Sequence, residues 1–440
     1  MQWADQIGLV LIGLLFGLAP FVSNALVGVL LFACACYWVL LTLSDEPEVR
    51  TTPIHLLVLL YWGIATVATA MSPVKKAAFT GWGKLTLYLI LFALIARILR
   101  SPRLRSWLIT LYLHAALIVS VYGVRQHFLG ATALATWVDP ESPTSKAVRV
   151  YSYLGNPNLL AGYLLPAIIF SIVAIFAWRG WGPKALAVTM TVTNLACLIW
   201  TYSRGGWIGL VLAVFILLLL LVHWWSIHLP RFWRTWALPI VMGSSAGLLI
   251  LAILLVEPLR DRATSIFAGR GDSSNNFRIN VWAAVIEMIQ DWPDGRPFPN
   301  YVLGIGPGNT AFNKIYPLYQ RPRFTALSAY SIPLEIAVET GLIGLTCFLW
   351  ILVVTFNQGW IQLQRLRSLG SREGFWLMGA IATLVGMLGH GLVDTVWYRP
   401  QVNTLWWLTI ALIASYYTYQ HTVPSEQQTT RNLELEEPGY

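Results

Sequence analysis

Two arginines, a pair of glutamates and a His-Asp pair carry most of the chemistry in this chain. Arg204 sits in Thr201-Tyr-Ser-Arg-Gly-Gly206, at the seam of two strongly apolar runs where a guanidinium is costly to keep. A charge at that depth suits an anion site, with Ser203 beside it; snorkelling to a membrane interface is the alternative reading. Arg278 follows four capping residues, Ser273 to Asn276, and falls in the first turn of a helix expected from Phe277 to Asp291, ended by Trp292-Pro-Asp-Gly295. The helix dipole disfavours a cation there unless an anion is near. Free amides and a guanidinium together suit phosphate, carboxylate or bicarbonate. Trp282 lies one turn on, so stacking of Arg278 on its ring explains the spacing as well.

Glu335 and Glu339 lie four apart on one helical face, placed to compete for the arginines or to hold a proton or cation, with capping and interfacial placement explaining Glu335 about as well. His390 and Asp394 share that spacing, which suits a proton relay or a satisfied pair at a helix end. Gly304-Ile-Gly306-Pro-Gly308-Asn309 has turn glycines but no Lys-Ser or Lys-Thr ending, so it is no nucleotide-binding loop. A structural turn is the simpler reading of that loop and of Gly155-Asn156-Pro157-Asn158, whose two amides also suit a polar cavity mouth. His114 has no second ligand at zinc spacing and reads as a buried hydrogen-bonding residue. Cys34, Cys36, Cys197 and Cys347 lie in apolar runs, so neither a disulfide framework nor a metal site is expected, and no cofactor is implied.

The elements that position these residues are membrane helices. Of 440 residues, 57% are hydrophobic and 11% charged, with 22 tryptophans, usage that excludes an ordinary soluble domain. The net charge of +9 belongs to short loops beside spans, and no basic groove for nucleic acid is present. At ~20 apolar residues per crossing, about a dozen spans follow. The reading is an all-α polytopic bundle: spans 1 to 5 within 1–123, an outer loop at 124–158, spans 6 to 9 within 159–256, a large helical extracytoplasmic loop at 257–331, spans 10 to 12 within 332–420, and an acidic tail at 421–440. The first two spans require a turn near Pro20, Ser23 and Asn24. Met1 to Asp5 lack a signal peptide's basic start, so the first span is expected to be retained as an anchor. Twelve Lys and Arg in alternate short loops face five in the others, Lys75, Lys76, Lys84, Arg204 and Arg399, which puts both termini in the cytoplasm and the long loops outside.

One set of motifs resembles a known family. Tyr122-Gly123 with Gln126, Asn156-Pro-Asn158 with Ala161, Ser203-Arg204-Gly205, Arg278 with Trp282, the loop from Gly304 to Asn309, and Leu334 with Glu339-Thr-Gly341 occur in the order seen in the O-antigen ligase and polymerase superfamily of bacterial membrane proteins. Within it, the segment Leu327-Ser-Ala-Tyr-Ser-Ile-Pro-Leu-Glu is most similar to the cyanobacterial inorganic carbon transporter B group, named for bicarbonate accumulation. In the ligases, two arginines grip the pyrophosphate of a lipid-linked sugar donor and a histidine assists transfer to an acceptor hydroxyl. The resemblance puts Arg204 and Arg278 in the arginine positions. It puts Tyr330 in the histidine position, and a tyrosine of ordinary pKa, about 10, is a poor general base at neutral pH.

Three functions therefore compete for a protein of the bacterial inner membrane in contact with lipid. The branch resemblance implies transport of a small anion such as bicarbonate, although no internal repeat or ATP motif supports alternating access. The superfamily implies a glycosyltransferase using a polyprenyl-pyrophosphate-linked glycan. The third is a non-catalytic anion-binding or regulatory protein. All three expect Arg204 and Arg278 in one outer cavity, with Tyr330 on its rim and Ser203, Asn156, Asn158, Trp282, Glu339, Gly306, Gly308 and Asn309 in support.

Overall fold

The computed structural model describes residues 3–44, 51–131, 149–227, 229–255, 260, 264, 269–271, 273–293 and 297–417. The acidic tail, most of the first outer loop and parts of the second lie outside the described residues. The described chain is helical throughout, without strands: α1 (Trp3–Leu18), α2 (Asn24–Ser44), α3 (Pro53–Ala70), α4 (Lys75–Ile98), α5 (Pro102–Leu129), α6 (Pro157–Ala177), α7 (Trp181–Trp200), α8 (Arg204–Trp225), α9 (Arg231–Leu255), α10 (Ser273–Gln290), α11 (Asn300–Leu303), α12 (Asn309–Ile315), α13 (Ile332–Ser368), α14 (Glu373–Gly391) and α15 (Pro400–Ser415). Among the described residues nine helices, α2 to α8, α13 and α14, are long and apolar enough to cross a membrane, while α1 and α15 have 16 residues each.

Several helices run further than their apolar stretches. α4 starts at Lys75, ten residues before its continuous apolar run opens at Leu85, because Ala77, Ala78 and Gly81 form a buried face while Lys75, Lys76 and Lys84 stay exposed. α13 continues to Ser368 and kinks at Gly341, whose φ of 69° is open to glycine at little cost. A Cβ there would lie 2.0 Å from the Val302 carbonyl oxygen, so the kink is also where α11 nests against α13. α10 begins at Ser273, so the residues read as caps are helical and Arg278 stands in the second turn. The extra turn is braced by side chains: Asn280 Nδ2 donates to Asn276 Oδ1 and Arg278 Nη1 to Ser274 Oγ.

α14 is the central post, with 89% of its apolar window buried, against α8 on one side and α6 on the other. Glycines set that approach: a Cβ on Gly209 would lie 2.5 Å from the Gly386 carbonyl oxygen. Small residues let spanning helices pack backbone to backbone. This contact brings the end of α14 beside the start of α8, where Arg204 lies. A second core joins α10 to α12 through Val281, Val285, Met288, Phe312 and Tyr316, and seats this cap on Ala77 and Ala78 of α4 and Val338 of α13. At the opposite end, Arg105, one of the twelve cations assigned to the cytoplasmic loops, is buried. It pairs with Glu373 and stacks 3.7 Å over the Tyr416 ring.

Candidate functional site

The start of α8 is built by its own sequence. Ser203 is its N-cap, with Oγ accepting from Gly206 N at 3.3 Å, and Thr201 Oγ1 accepts from Ser203 N at 3.2 Å. Asn156 does the same for α6, accepting from the amides of Asn158 and Leu159. Arg149 stitches the two turns together: its Nε donates to the Thr201 carbonyl at 2.9 Å and its Nη2 to Asn158 Oδ1 at 3.1 Å. Ser203, Asn156 and Asn158 thus fix the backbone that presents Arg204, which is 8% exposed.

Arg278 reaches the same place from α10. Its Nε donates to the Val393 carbonyl at 2.8 Å, and its Nη2 lies 3.9 Å from Asp394 Oδ2. Arg204, Gly205, Asn275, Arg278, Trp282 and Val393 line one cavity of about 230 Å³. Two guanidiniums, one neighbouring carboxylate and the first turns of two helices give that cavity a positive balance. Asp394 is a weak partner at 3.9 Å, beyond hydrogen-bond length, and a bound oxyanion would compete with it for Arg278.

Residues 189–349 match the O-Antigen ligase family model, Wzy_C. The matched stretch contains Arg204, Arg278, Trp282, Tyr330 and Glu339, and supports placement in the O-antigen ligase and polymerase superfamily as an integral membrane protein. No curated protein matches the chain.

Within the ligase-like stretch, Tyr330 is not among the residues that line this cavity, contrary to its expected place on the rim; Trp282, which does line it, donates its Nε1 to the Tyr330 carbonyl at 3.4 Å. The Tyr330 ring packs edge-on against Phe277 at 5.4 Å. Burial pushes its hydroxyl above the ordinary value of 10.0, the charges of Asp394 and Tyr398 add to that, and Arg278 opposes it. The group therefore stays protonated at neutral pH and can donate but not accept a proton.

Glu335, Glu339, Gly308 and Asn309 line a different cavity, away from both arginines. The Gly304 to Asn309 loop spends its amides on α13: Ile305 N donates to the Val338 carbonyl, Gly306 N to the Glu339 carbonyl and Gly308 N to Glu339 Oε1. These amides are turned inward, so the loop does not cradle the ligand of the arginines. His390 is 2% exposed and wedged beside Gly205: a Cβ there would sit 2.7 Å from Cδ2 and 3.2 Å from Nε2 of the ring. Its Nε2 has no hydrogen-bond partner among the described residues, so the His-Asp spacing has not produced a closed pair; Asp394 turns to Arg278 instead. His114 is exposed, not buried, with Nδ1 against the Thr110 carbonyl of its own helix. The four cysteines are free, and no cluster of three metal-binding side chains occurs among the described residues.

Asp394 as a counter-charge, Arg149 as a brace and Ser274 as a support for Arg278 were not readable in advance. Asp394 alone had a signal, a carboxylate just beyond a buried helix end, but its partner lies 116 positions back in another element.

Proposed function

We propose that the protein binds the diphosphate of a lipid-linked glycan between Arg204 and Arg278 on the extracytoplasmic side and transfers the glycan to an acceptor hydroxyl. The observation that carries this reading is the shared cavity of two arginines from distant elements, within a stretch similar to O-antigen ligases. Two guanidiniums suit a diphosphate leaving group, whose charge grows as the glycosidic C–O bond breaks. Trp282 offers a ring face beside them. Tyr330 holds its proton, so the acceptor's proton passes to Asp394, whose carboxylate is released when phosphate takes Arg278. With both termini in the cytoplasm of a bacterial inner membrane, the cavity meets donors already flipped outward.

The test is glycan transfer from a polyprenyl-diphosphate donor by the full chain in proteoliposomes. Transfer should be lost in Arg278→Ala and Arg204→Ala; activity undiminished in either variant removes that arginine from the reaction.

A second reading, carriage of bicarbonate, rests on the same two guanidiniums, which suit a small oxyanion as well as a diphosphate. Labelled bicarbonate uptake into vesicles above protein-free controls, abolished by Arg204→Ala, would select it. Binding of diphosphate with neither transfer nor flux would leave a non-catalytic anion receptor.

A further inference from the structure

The segment from Val393 to Tyr398 separates two cavities: Val393 faces the arginines, while Thr395, Trp397 and Tyr398 face a second cavity of about 120 Å³. The second cavity has the opposite character. Glu335 and Glu339, from the first two turns of α13, line it from one face of a spanning helix. Each carboxylate accepts one backbone N–H, Glu335 Oε2 from Ala329 and Glu339 Oε1 from Gly308 at 2.8 Å. Among the described residues no Lys or Arg nitrogen lies within 4.0 Å of either. Lys84 borders the cavity but is exposed.

Two further oxygens point the same way. Thr395, 2% exposed, has its Oγ1 without a hydrogen-bond partner, and so has Asn403 Oδ1; both residues line this cavity. Two carboxylates one turn apart at membrane depth do not both stay ionised without a compensating positive charge, a proton or a cation. Oxygen ligands alone, with no imidazole or thiolate, suit a hard cation. One proton shared by the two carboxylates leaves a single negative charge among the four ligands, which suits a single positive charge.

We infer that Glu335, Glu339, Thr395 and Asn403 form a binding site for a monovalent alkali cation. The ion would also steady the two loops tied to its ligands, at Ala329 and Gly308. The inference does not depend on what the arginines bind.

The experiment follows thermal unfolding of the purified full chain in NaCl, KCl or N-methylglucamine chloride at equal ionic strength, so that the anion is constant. A saturable rise in apparent Tm with sodium or potassium, absent with the bulky organic cation, is expected. In Glu335→Gln and Thr395→Val the midpoint should move to about tenfold higher salt or beyond. Equal Tm values in all three salts, or an unmoved midpoint in both variants, would overturn the site. Should the variants fail to fold, binding of radiolabelled sodium to the wild type, competed by unlabelled sodium but not by N-methylglucamine, decides; uncompeted or absent binding refutes it. Diphosphate binding, measured separately at fixed salt, reports on the arginine cavity alone, so the two readings fail independently.

Discussion

Replacing Asp394 with asparagine removes the carboxylate that shares Arg278 with any incoming anion, while keeping its size. The two groups are 3.9 Å apart, with side chains 15% and 6% exposed. At an effective dielectric of about 20, the gross Coulomb attraction of such a pair is about 4 kcal/mol, before hydration is counted. Hydration and the nearby His390 return part of that to the displaced carboxylate, leaving about 1.5–3 kcal/mol as the cost of exchanging one charged contact for another. Arg278 keeps its orientation in the variant, because Nε remains on the Val393 carbonyl and Nη1 on Ser274 Oγ. Inorganic pyrophosphate should therefore bind Asp394→Asn roughly 10- to 100-fold more tightly than the wild type in isothermal titration. Unchanged or weaker binding would refute the idea that Asp394 occupies the ligand's place. If catalysis uses Asp394 as the proton acceptor, the same variant should bind better and turn over more slowly, a split that a merely structural carboxylate would not produce.

Other expected outcomes are as follows. Gly209→Ala places a Cβ 2.5 Å from the Gly386 carbonyl oxygen and 2.7 Å from Leu165 Cδ1, so it should cost about 1–3 kcal/mol and lower the apparent Tm. Glu373→Gln strands Arg105, whose side chain is 3% exposed, and should destabilise the fold by about 3 kcal/mol in thermal unfolding without changing pyrophosphate affinity. Tyr330 has a raised folded value, so its contribution to stability is complete below its ordinary value of 10.0 and is lost as pH rises from there through the folded one. Tyr330→Phe should accordingly leave the pH dependence of stability and transfer unchanged between about pH 6 and pH 9; a shift within that window would show a proton leaving Tyr330. Arg149→Ala frees the turn before Arg204 and should weaken pyrophosphate binding about tenfold, the effect of a lost positioning contact.

The spanning helices were legible because hydrocarbon demands continuous apolar helix, and that demand writes itself into composition. Their ends were less so. α4 carries Lys75, Lys76 and Lys84 on an exposed side, which hid a buried face of Ala77, Ala78 and Gly81 from any hydropathy count. α10 gained a turn because Ser274 and Asn276 act as i to i+4 partners rather than caps. The convergence of Arg204 and Arg278 was an expectation from motif order, and nothing local encodes it; it depends on the glycine contact of α8 with α14 and on the docking of the cap. The motif residues divided between two cavities for a similar reason: Glu339 and Gly308 lie beyond the Gly341 kink's docking surface, which no short window of sequence displays. Tyr330 turns its backbone at a positive φ of 50°, a conformation that tyrosine rarely signals, so its place off the arginine cavity was not legible.

The central claim is that one anion is held by both arginines. Pyrophosphate affinity of the wild type, Arg204→Ala, Arg278→Ala and the double variant, measured by isothermal titration at fixed salt, tests it most directly. A loss of about tenfold or more in each single variant, with no measurable binding in the double, is the predicted result; wild-type affinity in either single variant would contradict it.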